Sequence, residues 1–144
     1  MSATPELRPH GGMLAPARDA DADDFWAALD AGVLLVWVCG SCGKRWLPPL
    51  TTCPRCGSSE VGSEGAPATA HLYSWSVIHL AVDPVFAAET PYTIGLVQLA
   101  DGARLYGRIV GVEHNALRDG LELQVAVTRV QDQPIWYFTR PAAP

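Results

Sequence analysis

The residues whose types and spacing could most plainly do chemistry are four cysteines, Cys39, Cys42, Cys53 and Cys56. They form two Cys-x-x-Cys pairs with ten residues between them. Such a turn points both of its sulfurs at one place, and two turns facing each other complete a tetrahedron around a metal, with Zn–S bonds of about 2.3 Å. Gly43 and Gly57 directly follow the second cysteine of each pair, where a glycine lets the backbone turn its N–H groups toward the thiolates. A redox dithiol needs only one such pair, opening a helix in a βαβ unit, and neither pair has that setting. A catalytic zinc keeps one position open for water, whereas four cysteines close the shell. The spacing therefore predicts a structural Zn²⁺ held by all four, with iron in the same cage as the alternative.

Little else in the chain suggests reactivity. The serines lack a nucleophile elbow, no phosphate loop or dinucleotide fingerprint is present, and no catalytic residue is assigned. His71 and His79, eight apart in a predicted strand, should share a face, and His114 falls in a loop; a site and a solvent-facing reading both remain open for them. Arg104, Tyr106 and Arg108 alternate along another predicted strand and share a face that could meet a phosphate, including that of a coenzyme. A solvent-facing strand edge is the competing reading.

Several elements must position these groups. Residues 1–18, with Pro5, Pro9, Pro16 and Gly11-Gly12 and no apolar period, read as a flexible arm. Residues 19–32 read as a short amphipathic helix, with acidic residues at its start, Phe25, Trp26 and Leu29 at helical spacing, and Gly32 as a stop. Those three apolar side chains need a surface, which could be the rest of the chain or another protein. Residues 33–61 form the zinc ribbon, too short to fold without a metal. Gly62 to Ala68, rich in Gly, Ser, Ala and Pro, reads as a linker. Five strands follow, over residues 72–80, 94–99, 103–110, 121–130 and 135–139. Leu121, Leu123, Val125 and Val127 alternate with Glu122, Gln124, Ala126 and Thr128, as a strand with one buried face does. Five antiparallel strands suit a small closed barrel over residues 69–140, of which the OB-fold is the five-stranded version.

Composition narrows the function classes. The chain is 49% apolar and 17% charged, which excludes a wholly disordered protein. Its longest apolar run, Val33 to Cys39, is far short of the roughly 20 residues that cross a bilayer, so no membrane role is expected. No secretory signal is read at the N-terminus, which sets the cytoplasm as the expected compartment. The net charge is −5, and both halves of the chain are acidic. A nucleic-acid binder usually carries a basic footprint, so the single-strand-binding role open to an OB-fold is the weaker alternative.

The motifs together resemble a known arrangement. Asp24-Phe25-Trp26-Ala27-Ala28-Leu29, Gly32-Val33-Leu34, Cys39-x-x-Cys42-Gly43, Pro48-Pro49 and Cys53-Pro54-x-Cys56-Gly57-Ser58 are similar to the zinc-ribbon OB-fold family called domain of unknown function 35. Leu72-Tyr73-Ser74, Pro91-Tyr92, Asp101-Gly102-x-Arg104-Leu105 and Gly107-x-Ile109-Val110-Gly111 extend the likeness over residues 20–140. The resemblance implies a mainly β fold: an N-terminal helix, a rubredoxin-like zinc ribbon and a five-stranded OB-fold barrel. It also implies a noncatalytic accessory subunit in a hetero-oligomer with a thiolase-superfamily enzyme of acyltransferase or aldolase type, with acyl-CoA as the substrate class. On that reading Phe25, Trp26 and Leu29 are the candidate docking residues, and Arg104, Tyr106 and Arg108 the candidate acyl-CoA contacts.

Overall fold

The structure is a computed structural model and describes residues 16–143; the predicted flexible arm falls almost wholly outside that range. Asp19 opens the described fold by accepting a hydrogen bond from the Asp21 N–H and capping a 3-10 turn, Ala20–Ala22. The turn runs into helix α1, Asp23–Asp30, with Asp23 and Asp24 in its first turn, where carboxylates meet the positive end of the helix dipole. Gly32, at φ +80°, ends it. The Gly32 N–H returns to the Leu29 carbonyl and the Val33 N–H to that of Ala28, the two bonds of a Schellman cap.

A three-stranded antiparallel sheet follows, in the order β2-β1-β3: β1 is Leu35–Cys39, β2 is Arg45–Trp46 and β3 is Val61–Gly65. The third strand corrects one expectation. Most of the stretch read as a linker, Gly62 to Ala68, pairs residue by residue with β1, from Leu35 opposite Gly65 to Cys39 opposite Val61. Ladder bonds use only the backbone, so a strand of Gly, Ser and Glu carries no hydrophobic period for a sequence reading to find.

The second layer is a closed barrel of five strands: β4 (Thr69–Ile78), β5 (Tyr92–Leu99), β6 (Arg104–Val110), β7 (Glu122–Val130) and β8 (Gln133–Thr139). Going round it the order is β4-β5-β6-β8-β7, with β7 closing on β4. Four of the five seams are antiparallel as expected, but β6 and β8 pair in parallel, Ile109 opposite Phe138. A parallel seam needs a crossover connection, and here β7 is that crossover, leaving β6 and returning antiparallel to β8. The short helix α2, Pro84–Ala87, capped by Asp83, lies in the long connection between β4 and β5.

One contiguous core joins the layers. Leu72, Val97, Leu99, Leu123 and Phe138 fill the barrel, and the same cluster takes in Leu34 and Val36 of the ribbon and Phe25, Trp26 and Leu29 of α1. The ribbon's own core is only Trp46 with Cys39 and Cys53, flanked by Trp37 and Val61. That small cluster leaves the ribbon dependent on its neighbours and on the cysteine site for its order. Among the described residues no helix is long and apolar enough to cross a membrane.

Candidate metal centre and adjoining groove

Cys39 ends β1 and Cys42 lies in the turn toward β2, while Cys53 and Cys56 lie on the loop between β2 and β3. Both turns close alike. The Gly43 N–H donates to the Cys39 carbonyl and the Gly57 N–H to the Cys53 carbonyl, each at 2.9 Å, with φ +71° at Gly43 and +74° at Gly57. A side chain at either position would be strained in that left-handed backbone. The turns aim further N–H groups at sulfur: that of Cys42 lies 3.4 Å from Cys39 Sγ and that of Arg55 lies 3.4 Å from Cys53 Sγ.

All four sulfurs lie within 4.8 Å of one another. Cys39 and Cys56 are 3.6 Å apart across the two turns, and Cys42 and Cys53 are 3.7 Å apart. A tetrahedron with bonds of about 2.3 Å has edges of about 3.8 Å, whereas a disulfide would need about 2.05 Å. The spacing fits four thiolates around one metal ion, and the cysteines are unpaired with one another.

The four thiols and the N–H groups around them shift one another in opposite directions. The Cys42 N–H, aided by that of Ser41 and opposed by burial, holds the Cys39 thiol below its ordinary value. Burial works to raise Cys53, but the N–H groups of Cys56 and Arg55 outweigh it and draw the thiol down to about 6. Cys56 goes the other way: the Ser58 N–H would lower it, yet the neighbouring Cys39 sulfur, burial and the other two thiols push it up to about 12. Four thiolates this close repel one another unless a metal ion compensates their charge.

The other candidate residues are arranged differently from what their spacing suggests. Phe25, Trp26 and Leu29 do not form an exposed docking face: they are 5%, 8% and 1% exposed. Phe25 is wedged between Trp37 of the ribbon and Trp136 of the barrel, at centroid distances of 6.3 Å and 5.6 Å. Trp26 lies 6.4 Å from Trp136. The helix face is therefore the joint between the two layers, and burying such side chains stabilises the pairing by about 1.5–3 kcal/mol each.

Arg104, Tyr106 and Arg108 lie on the outer face of β6, opposite Gln98, Leu96 and Ile94 of β5. Arg104 lays its guanidinium 3.9 Å from the Tyr73 ring centroid and donates to Gln98. Tyr106 is 66% exposed. Arg108 departs from the expectation: it is stacked on Tyr92 and donates to Glu89 at 2.6 Å in a nearly buried ion pair. Its charge is already matched within the chain, so Arg104 is the arginine of this set that faces outward.

His71 and His79 do not share a face. Tyr73 is an extra residue in β4, a bulge between Leu72, opposite Val97, and Ser74, opposite Leu96. A bulge reverses the alternation beyond it, and His79 also lies past the strand's end, its ring 6.5 Å from that of His114.

One feature was not legible in the sequence. Two members of each candidate set meet in an open groove of about 540 Å³, Phe25 and Trp26 from α1 and Arg104 and Tyr106 from β6, with Pro48 and Pro49 from the ribbon and Trp136 beside them; Leu29 and Arg108 lie outside it. The Trp136 indole N–H donates to the Tyr106 carbonyl at 2.6 Å and fixes the ring there. Its walls are mostly apolar, with Arg104 and Asp19 as the charged residues of the lining, and such a groove can hold a flexible apolar chain whose anionic end meets the guanidinium.

A cysteine-cage ribbon joined through a helix to an OB-type barrel defines the class, and comparison with known proteins gives the family. Residues 26–62 match the family described as the ChsH2 rubredoxin-like zinc ribbon domain, and residues 64–129 the one described as the ChsH2 C-terminal OB-fold domain. The chain belongs to this zinc-ribbon OB-fold family, domain of unknown function 35. It is 29% identical over 96% of its length to a protein of Thermomonospora curvata named probable enoyl-CoA hydratase alpha subunit, of which it spans 43%. It is 27% identical over 80% of its length to a DUF35 domain-containing scaffold protein of Methanocaldococcus jannaschii, of which it spans 82%. Among solved structures it is similar to a chain of the Ltp2-ChsH2(DUF35) aldolase, with a TM-score of 0.76, 28% identity, and coverage of 87% of this chain and 98% of that one.

Proposed function

We propose that this protein is a noncatalytic accessory subunit that docks on a thiolase-superfamily enzyme of acyltransferase or aldolase type and assists its handling of acyl-CoA. The observation that carries the reading is the likeness, over 87% of this chain, to a chain of the Ltp2-ChsH2(DUF35) aldolase, which is named for Ltp2 together with a DUF35 protein. Relatives named scaffold proteins support the same division of labour, in which the partner owns the reacting groups. The metal is a structural Zn²⁺ held by Cys39, Cys42, Cys53 and Cys56. Closed by four sulfurs, it orders the ribbon and leaves no position for substrate.

The groove supplies the acyl-CoA part of the reading. Its apolar walls suit an acyl or pantetheine chain, and Arg104 offers a guanidinium for a phosphate. Arg104→Ala and Tyr106→Ala change exposed side chains, so both variants should fold as the parent does and still bind the partner. Acyl-CoA affinity of the co-purified complex, measured by calorimetry, should fall about 10-fold for Arg104→Ala, the loss of one charge-assisted contact. Unchanged affinity in both variants would remove the groove from the account.

Exposed rings at Tyr73 and Tyr106 favour a second reading, a single-strand nucleic-acid binder that stacks bases on its barrel. The chain's net charge of −5 and the pairing of Arg108 with Glu89 weigh against it. Salt-dependent binding of an oligonucleotide at micromolar concentration would revive it.

A further inference from the structure

Outside the sulfur cage, three side chains that the metal does not need close a ring. Ser41 lies between the first two cysteines, and Ser58 and Glu60 follow the last. The Glu60 N–H donates to Ser58 Oγ at 3.1 Å, the two hydroxyl oxygens of Ser58 and Ser41 lie 2.9 Å apart, and Ser41 Oγ donates to Glu60 Oε2 at 2.8 Å. Ser41 has one proton, and Glu60 receives it. The bond between the hydroxyls is therefore donated by Ser58, which fixes the direction of every bond and returns the ring to the residue where it began.

The ring ties one metal-binding turn to the other. Beside it the Gly40 N–H donates to the Glu60 carbonyl at 2.7 Å, continuing the β1–β3 ladder that pairs Cys39 with Val61. Releasing a metal ion from four sulfurs requires one Cys-x-x-Cys turn to peel away from its partner. The geometry points to Ser41, Ser58 and Glu60 as positioning residues that form a metal-independent latch between the two turns and slow the loss of the ion. This rests on the reading of the cysteine cage as a metal site.

Two explanations of an effect at Glu60 can be separated. As a latch, its carboxylate acts as an acceptor, and glutamine can replace it. As a charge beside an anionic thiolate cage, it would instead weaken the site, and Glu60→Gln and Glu60→Ala would both retain metal longer. The experiment loads the full chain with zinc, confirms one ion per chain by mass spectrometry, and follows release into excess chelator with a chromogenic indicator. Circular dichroism before mixing verifies that each variant starts folded.

Ser41→Ala and Glu60→Ala should each release zinc about 3- to 10-fold faster than the parent, the scale of a lost hydrogen bond between exposed groups. Glu60→Gln should release near the parental rate, and the double variant Ser41→Ala with Glu60→Ala no faster than either single change, because one ring is broken in all three. Parental rates in Ser41→Ala and Glu60→Ala, or rates that multiply in the double variant, would overturn the latch. A parental chain that neither carries nor takes up zinc or iron would overturn the metal reading, and the latch with it.

Discussion

The ring of Phe25 stands edge-on to that of Trp136, with centroids 5.6 Å apart and planes at 86°. One belongs to the helix before the ribbon, the other to the last strand of the barrel, so this contact joins the two ends of the described chain. Edge-to-face rings contribute about 0.5–1.5 kcal/mol beyond the area they bury. Phe25→Ala removes both the contact and the volume and should cost about 3–5 kcal/mol in urea denaturation of the metal-loaded protein. Phe25→Leu should cost less, since it keeps most of the volume. A loss under about 1 kcal/mol for the alanine variant would mean that the helix is not the joint between the layers.

The ion pair between Arg108 and Glu89 makes an asymmetric prediction. Glu89 is the more deeply buried partner, with side-chain exposure of 5% against 13% for Arg108. Arg108→Ala leaves a buried carboxylate without its cation and should cost about 3–5 kcal/mol. Replacing both residues by leucine removes the unmatched charge and should recover most of that loss. The comparison is read from denaturation midpoints, and a double variant no more stable than Arg108→Ala would contradict it.

Acid should empty the cysteine site in a defined direction. Cys39 and Cys53 have thiols held below the ordinary value of 9.0, Cys53 at about 6. A depressed thiol stabilises the fold above its ordinary value and loses that contribution as pH falls through the folded value. A bound metal competes with protons for the same sulfurs, Cys56 included, whose thiol is pushed up to about 12 by its neighbours, so the ion is lost as pH falls and release belongs in the acid range. Metal content after gel filtration across a pH series, read beside tryptophan fluorescence, to which Trp37 and Trp46 contribute from the ribbon, should change together in that range. Full occupancy at pH 3, or loss already at pH 8, would contradict the assignment.

The legible parts of this fold were those in which side-chain chemistry and local structure coincide. Cys-x-x-Cys-Gly states its own geometry, because the sulfurs and the left-handed glycine belong to one turn. Leu121, just before β7, and Leu123 are at most 4% exposed, as their alternation with Glu122 implies, whereas Gln124 to Thr128 are all half-buried and the expected alternation fades there. β3 was hidden because its contribution is backbone pairing. The histidine pair was misplaced because one bulged residue, Tyr73, reverses the alternation without any mark in residue type. Amphipathic spacing gave the apolar face of α1 correctly but could not say what covers it, which is a property of distant residues such as Trp37 and Trp136. The groove was hidden for the same reason: its walls come from three elements far apart in the chain.

The central claim is that this chain works as a docked subunit, and co-expression with a candidate thiolase-superfamily partner tests that most directly. Size-exclusion chromatography with light scattering should show the two chains in one peak of fixed stoichiometry, with partner activity on acyl-CoA raised over the partner alone. Separate elution at micromolar concentration, together with unchanged partner activity, would contradict the account.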